Sequence, residues 1–210
     1  MVTRRTVVFD VGGVLVQWQP LELMRAHFGD RARDDAGARA VMAQVFQTFA
    51  PEADWGAFDR GHVEPDALAE RIAVRTGYPR AQVASLIAAI PDHLQPMSDS
   101  VALLRRVRAA GHRLALLSNM PRPYAAHLES AHECFGWFEH RTWSGRLGVM
   151  KPQREIFDHI RDAAGLDLAH AVFVDDHHGN IAAARRYGWQ ALQFTSAAQC
   201  EADLRAGGWL

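Results

Sequence analysis

Four stretches of the chain end on, or contain, residues that can handle charge. They are Asp10 in "VVFDVGGVLVQW", Ser118 and Asn119 in "HRLALLSN", Lys151 in "LGVMKPQREIF", and Asp175 and Asp176 in "AHAVFVDD". One aspartate after an apolar run is a common turn cap. Three apolar runs that each stop on polar residues make a pattern. A lysine among three aspartates and a serine puts an anion site beside a cation site. That combination suits a phosphate group with Mg²⁺, which takes a few carboxylate oxygens and completes its shell with phosphate and water.

Convergence of these residues requires elements that bring them to one edge. Thr6-Val7-Val8-Phe9 has the continuous apolar character of a strand covered on both faces, and His112–Asn119 and Ala169–Asp176 repeat it. Helical patterns over Asp99–Ala110 and Gln153–Ala164 precede the second and third runs, closed by Gly111 and Gly165. A further helix ends at Gly188 and a short strand follows over Ala191–Phe194. This alternation predicts an α/β fold, a Rossmann-like doubly wound parallel sheet. In such sheets the C-terminal strand ends share an edge, and ligands bind in the crevice there. Pro152 is expected in the first turn of its helix, leaving Lys151 extended and able to point into that crevice. Between Trp18 and about Pro96 the strand signal stops, and helical periodicity punctuated by Pro20, Pro51, Pro65, Pro79 and Pro91 takes over. Pro65 and Pro79 suit first-turn positions and Gly77 a helix end. The expected organisation is a core of residues 1–16 and 97–210 with an inserted helical unit over 17–96.

The bulk properties fit. With 210 residues, 49% hydrophobic and 22% charged, the chain can bury a full core. A net charge of −1 with interspersed signs provides no field for a nucleic acid, and no apolar stretch reads as a membrane span. A small-molecule partner is expected. Cys134 and Cys200 stand far apart without metal-ligand spacing and read as reduced thiols. The apolar stretch Thr6–Val16 is too short, and too broken by Asp10 and two glycines, for a secretion signal, which predicts a cytoplasmic protein.

The motifs together resemble the haloacid dehalogenase superfamily: "FDVGGVL", "LLSN", "GVMKP" and "VFVDDHHGN" match its four motifs in order. "FDRGHVEPDALAERI", Phe58–Ile72, resembles the helical cap of the subgroup that inserts it between the first and second motifs. The resemblance implies a Mg²⁺-dependent phosphatase acting on a small phosphorylated metabolite, such as a sugar phosphate. Asp10 would be the nucleophile that forms an aspartyl-phosphate. Ser118, the Asn119 backbone, Gly12 and Gly13 would hold the phosphoryl group, and Lys151 would neutralise charge between nucleophile and phosphate. Asp10, the Gly12 carbonyl and Asp176 would bind Mg²⁺, supported by Asp175 and Asn180.

One position departs from the pattern. Phosphatases of the family usually carry a second aspartate two residues after the nucleophile, as general acid and base, and here that residue is Gly12. Loss of such a group costs about 10² to 10⁴ in rate. Three outcomes follow: a phosphatase for leaving groups that need little protonation, a metal-independent 2-haloacid dehalogenase, or a non-catalytic binding protein that keeps the fold. His177 and His178 are either a substitute proton shuttle or solvated rim residues. Trp18 either lines the pocket or packs in the cap core. Arg60 either meets a substrate anion or caps a helix.

Overall fold

The computed structural model describes residues 5–210. Five parallel strands, β1 (Thr6–Phe9), β2 (Arg113–Ser118), β3 (His140–Trp143), β4 (Ala171–Asp175) and β5 (Gln190–Gln193), form one sheet in the order β3-β2-β1-β4-β5. Each of the three central strands is apolar on both faces, so alternate side chains feed two cores. Val7 and Phe9, Leu114 and Leu116, and Val172 and Val174 lie in one core. Val8, Ala115, Leu117, Ala171 and Phe173 lie in the other.

Helices cover both faces, as a parallel sheet requires. On the first face pack α6 (Ser98–Ala109), through Leu103, Leu104 and Val107, and α11 (Ala197–Ala206), through Cys200 and Leu204. On the second pack α9 (Arg154–Ala163), through Ile156, Phe157 and Ile160, and α10 (His178–Arg186), through Ile181 and Ala184. The chain winds outward from β1 to β2 to β3, then returns to the other side of β1 to lay down β4 and β5. The reversal falls between β1 and β4, where Asp10 N–H donates to the Val174 carbonyl at 2.8 Å. A crevice at the carboxyl ends of these two strands is the expected ligand site of this topology.

Between β1 and α6 the chain makes five α-helices: α1 (Pro20–His27), α2 (Asp35–Phe46), α3 (Asp54–Asp59), α4 (Pro65–Thr76) and α5 (Arg80–His93). The Asp34 side chain accepts from Gly37 N–H at 2.8 Å and caps α2. Pro65 opens α4, whose Leu68, Ala69 and Ile72 are buried; Val83, Leu86, Ile87 and Ile90 form the buried stripe of α5. The outgoing and returning segments run side by side, with Gln17 N–H on Gln95 O and Met97 N–H on Leu15 O, both 2.9 Å. Two remaining α-helices, α7 (Arg122–Ala131) and the single turn α8 (Ser144–Leu147), flank β3.

Several local expectations differ from the fold. Pro79 is the residue before α5, and Pro91 lies inside its last turn instead of bounding it. The last strand begins one residue earlier than the sequence suggests, at Gln190. Pro152 sits in a turn two residues ahead of α9, with a cis Lys151–Pro152 peptide, so it does not start that helix. No helix among the described residues is long and apolar enough to cross a membrane. Cys134 and Cys200 are free and buried.

Candidate active site

Asp10 follows β1 and Asp175 ends β4, neighbours across the crevice. Lys151 reaches between them from the loop before α9: its Nζ lies 2.8 Å from Asp10 Oδ1 and 2.6 Å from Asp175 Oδ2. All three are buried, with exposures of 2% for Lys151, 8% for Asp10 and 0% for Asp175. The Lys151 ammonium also stands over the Phe173 ring, 5.4 Å from its centre.

What holds Lys151 in place is Asn119. Its amide oxygen accepts from Lys151 N–H at 2.8 Å and its amide nitrogen donates to Lys151 O at 2.9 Å. The expected orienting role of Pro152 is thereby replaced by a side-chain clamp from the end of β2. Ser118, the last residue of β2, is 1% exposed and lines the same cavity.

The carboxylates divide by how many partners they already have. Asp175 accepts from Lys151 and from Asn180 Nδ2 at 3.0 Å on Oδ2, and from His177 N–H at 2.7 Å and Asn180 at 3.1 Å on Oδ1. It is saturated. The Asp176 carboxylate is held by its own backbone N–H and by no other side chain, and one oxygen each of Asp10, Asp175 and Asp176 lie within 4.8 Å of one another. An all-oxygen donor set with free lone pairs on Asp10 and Asp176 fits a hard divalent cation such as Mg²⁺. Gly13 makes room for it: its φ is +73°, and a Cβ there would lie 2.5 Å from Asp176 Oδ2.

Electrostatics follow from burial. Desolvation pushes Asp10 up to about 7 against the pull of Lys151, with Asp175 and Asp176 adding to the rise. Burial works against the Lys151 charge, but Asp10 and Asp175 outweigh it and raise its pKa. Burial, then Asp175, also raises Asp176. Three acids around one cation leave the site short of positive charge, which a divalent ion would restore.

Above these residues opens a cavity of about 370 Å³. Away from the carboxylates its wall is largely apolar, with Trp18, Phe49, Trp55, Leu94, Met120 and Tyr124 prominent. Trp18 therefore does both things weighed for it: it lines the cavity and packs on Phe46 and Phe49, at ring-centre distances of 5.7 and 6.2 Å. Gln47, Thr48 and Phe49 all have φ near +50°, the left-handed region, where the chain turns at the cavity wall. Arg60 holds the Pro51 carbonyl at 2.7 Å and the Gly56 carbonyl at 3.3 Å, so it ties α3 to the preceding loop. His177 sits exposed at the rim, preceding α10; His178 does not line the cavity.

Sequence reasoning missed Asp59, which also lines the cavity and is 5% exposed. Burial pushes its carboxyl up to about 8. The sequence signal was an acid between an aromatic and Gly61 inside a segment singled out for other reasons.

This fold and this rim of acids around a buried lysine define a class. A model of the haloacid dehalogenase-like hydrolases matches residues 4–188, and the chain belongs to that family. It is 26% identical over 203 residues to the sesquiterpene phosphatase astK of Aspergillus oryzae, an alignment spanning 97% of this chain and 96% of the relative. The fold is shared with HAD family enzyme BT-2542 of Bacteroides thetaiotaomicron, solved with magnesium and inorganic phosphate, at a TM-score of 0.69 and 18% identity over 90% of this chain and 93% of that one. It is also shared with L-2-haloacid dehalogenase of Xanthobacter autotrophicus, at a TM-score of 0.66 and 19% identity over 99% and 85% of the two chains.

Proposed function

We propose that the protein is a Mg²⁺-dependent phosphatase for a small phosphate monoester whose organic part is apolar. In this reading residues 1–16 and 97–210 form the catalytic core and 17–96 a helical cap over it. The observation that carries the proposal is the apolar, aromatic cavity opening onto the Asp10–Lys151 pair. A sugar would bring several hydroxyls into a wall that offers few groups to pair with them, at a cost of about 1–3 kcal/mol for each one left unpaired. An apolar chain gains there instead. The likeness to a sesquiterpene phosphatase supports the same substrate class.

Asp10 attacks phosphorus, its carboxylate oxygen forming the new P–O bond as the ester P–O bond breaks. Lys151 neutralises the charge gathered between nucleophile and phosphoryl group, and Asp175 and Asn119 keep it aimed. The Ser118 hydroxyl and the Asn119 N–H bind phosphoryl oxygens. Gly12 and Gly13 let the backbone approach them. Asp10, the Gly12 carbonyl and Asp176 would hold Mg²⁺, whose chemistry there is to offset phosphoryl charge. Water then releases phosphate from Asp10. A metal-free dehalogenase has no use for a second acid, Asp176, gathered within 4.8 Å of the nucleophile with no side-chain cation on it.

Purified protein should hydrolyse 4-nitrophenyl phosphate with MgCl₂, stop with EDTA and lose turnover in Asp10→Asn. Farnesyl phosphate should exceed glucose 1-phosphate in kcat/KM. Chloride release from a 2-haloacid without metal would overturn the proposal in favour of the dehalogenase. Binding of Mg²⁺ or phosphate with no turnover of any ester would favour a binding protein.

A further inference from the structure

Asp59, the last residue of α3, is a cavity carboxyl with no task in the mechanism above. The residue lines the cavity at 5% exposure, and among the described residues its carboxyl has no hydrogen-bond or ion-pair partner. Buried polar side chains are nearly always paired within the protein, so an unpaired one facing substrate space is placed to meet a ligand.

The backbone under it is firmly anchored. The Ser144 hydroxyl donates to the Asp59 carbonyl at 2.5 Å and accepts from Met120 N–H at 2.8 Å, two residues past Ser118. Gly61 permits this approach of α3 to α8, because a Cβ there would fall 2.2 Å from the Gly145 carbonyl oxygen. Asp59 is thus tied to the loop that follows the phosphate-binding end of β2. The ionisable neighbours are committed elsewhere: Tyr124 donates to Ile87 O at 2.7 Å, Arg122 to Gly145 O at 2.7 Å, and Arg60 to the carbonyls of Pro51 and Gly56. With no cation to offset burial, desolvation pushes the carboxyl up to about 8, which favours its protonated form at neutral pH. An apolar site can hold a carboxylic acid neutral so that it serves as a donor.

We propose that Asp59 is the acid that protonates the leaving group, supplying from the helical insertion what Gly12 does not supply from the loop after β1. The proposal rests on the phosphatase function above. As Asp10 bonds to phosphorus, the ester P–O bond breaks and its electron pair goes to the alcohol oxygen, which takes the proton from the Asp59 carboxyl. The resulting Asp59 carboxylate then takes a proton from the water that attacks the aspartyl-phosphate. Phosphate leaves, the Asp10 carboxylate is restored, and Asp59 is again protonated. An apolar alcohol, a poor leaving group as its anion, is the kind of product that needs such a donor.

The test compares Asp59→Asn with the parent on 4-nitrophenyl phosphate, whose leaving group departs as a stable anion, and on n-octyl phosphate, whose leaving group needs a proton. Melting curves check the fold of each variant. The expected result is a fall in kcat/KM of about 10²-fold or more on n-octyl phosphate and less than about tenfold on 4-nitrophenyl phosphate. In the Asp59→Asn background, Gly12→Asp should recover n-octyl phosphate turnover, since the space around a Cβ at Gly12 is open for 4 Å. Equal losses on the two esters, no loss on either, or a double variant that recovers nothing would count against Asp59. A parent with no Mg²⁺-dependent turnover of 4-nitrophenyl phosphate would instead sink the phosphatase function itself.

Discussion

Replacing Lys151 with methionine keeps the unbranched apolar stem and removes the charged terminal nitrogen, so it isolates the ammonium. The parent Nζ stands 2.8 and 2.6 Å from carboxylates of Asp10 and Asp175 that are 8% and 0% exposed. The variant leaves both acids in the same buried place with no cation. Removing one partner of a buried pair costs about 3–5 kcal/mol. At about 2–4 °C per kcal/mol for a domain of this size, the midpoint of metal-free protein at neutral pH should fall by roughly 6–20 °C. Protonation is the acids' one escape. Burial already raises Asp10 to about 7 with the lysine present, and without it the value climbs further. A carboxyl whose folded pKa exceeds its unfolded one contributes stability at low pH and loses it as pH rises toward the folded value. The deficit of Lys151→Met should therefore widen between pH 5 and pH 8. Thermal melts followed by circular dichroism at both pH values measure it. A midpoint within about 2 °C of the parent, or a deficit that is equal at pH 5 and pH 8, would refute the reasoning.

Two other perturbations test separate parts of the site. Gly13→Ala places a methyl 2.5 Å from Asp176 Oδ2 in a backbone conformation with φ of +73°, so Mg²⁺ affinity by calorimetry should drop about tenfold or more, and an unchanged affinity would contradict the fit of the acids to a cation. Asp59 has a folded pKa of about 8 against an ordinary 3.8, so between those values the folded chain holds a proton that the unfolded chain releases, and stability falls as pH rises. Asp59→Asn should resist urea better than the parent at pH 8 and lose less stability between pH 5 and 8, the remaining slope coming from Asp10. Parallel slopes in the two proteins would show that Asp59 does not carry a raised pKa.

Much of the site was legible because the relevant information is local. A run such as Val7-Val8-Phe9, largely β-branched, apolar on both faces and ended by Asp10, reads as a buried parallel strand with its acid at the carboxyl edge, and β2 and β4 repeat the signal. Strand β3 was not legible, since His140-Arg141-Thr142-Trp143 has neither the apolar run nor the alternation of a strand and owes its place to pairing with β2. Helix α7 likewise carries a weaker local signal than the apolar strands β2 and β4.

What the sequence alone determined is therefore the three central strands β1, β2 and β4, the edge where Asp10, Ser118, Asp175 and Asp176 gather, and the helical character of the long insertion, because strand and helix periods are written in neighbouring residues. The tertiary structure decided the rest. Lys151 owes its aim to Asn119, 32 positions away, and Asp59 is tied into the wall through Ser144, 85 positions away. Contacts across such separations depend on how finished elements dock, and no short-range pattern encodes them.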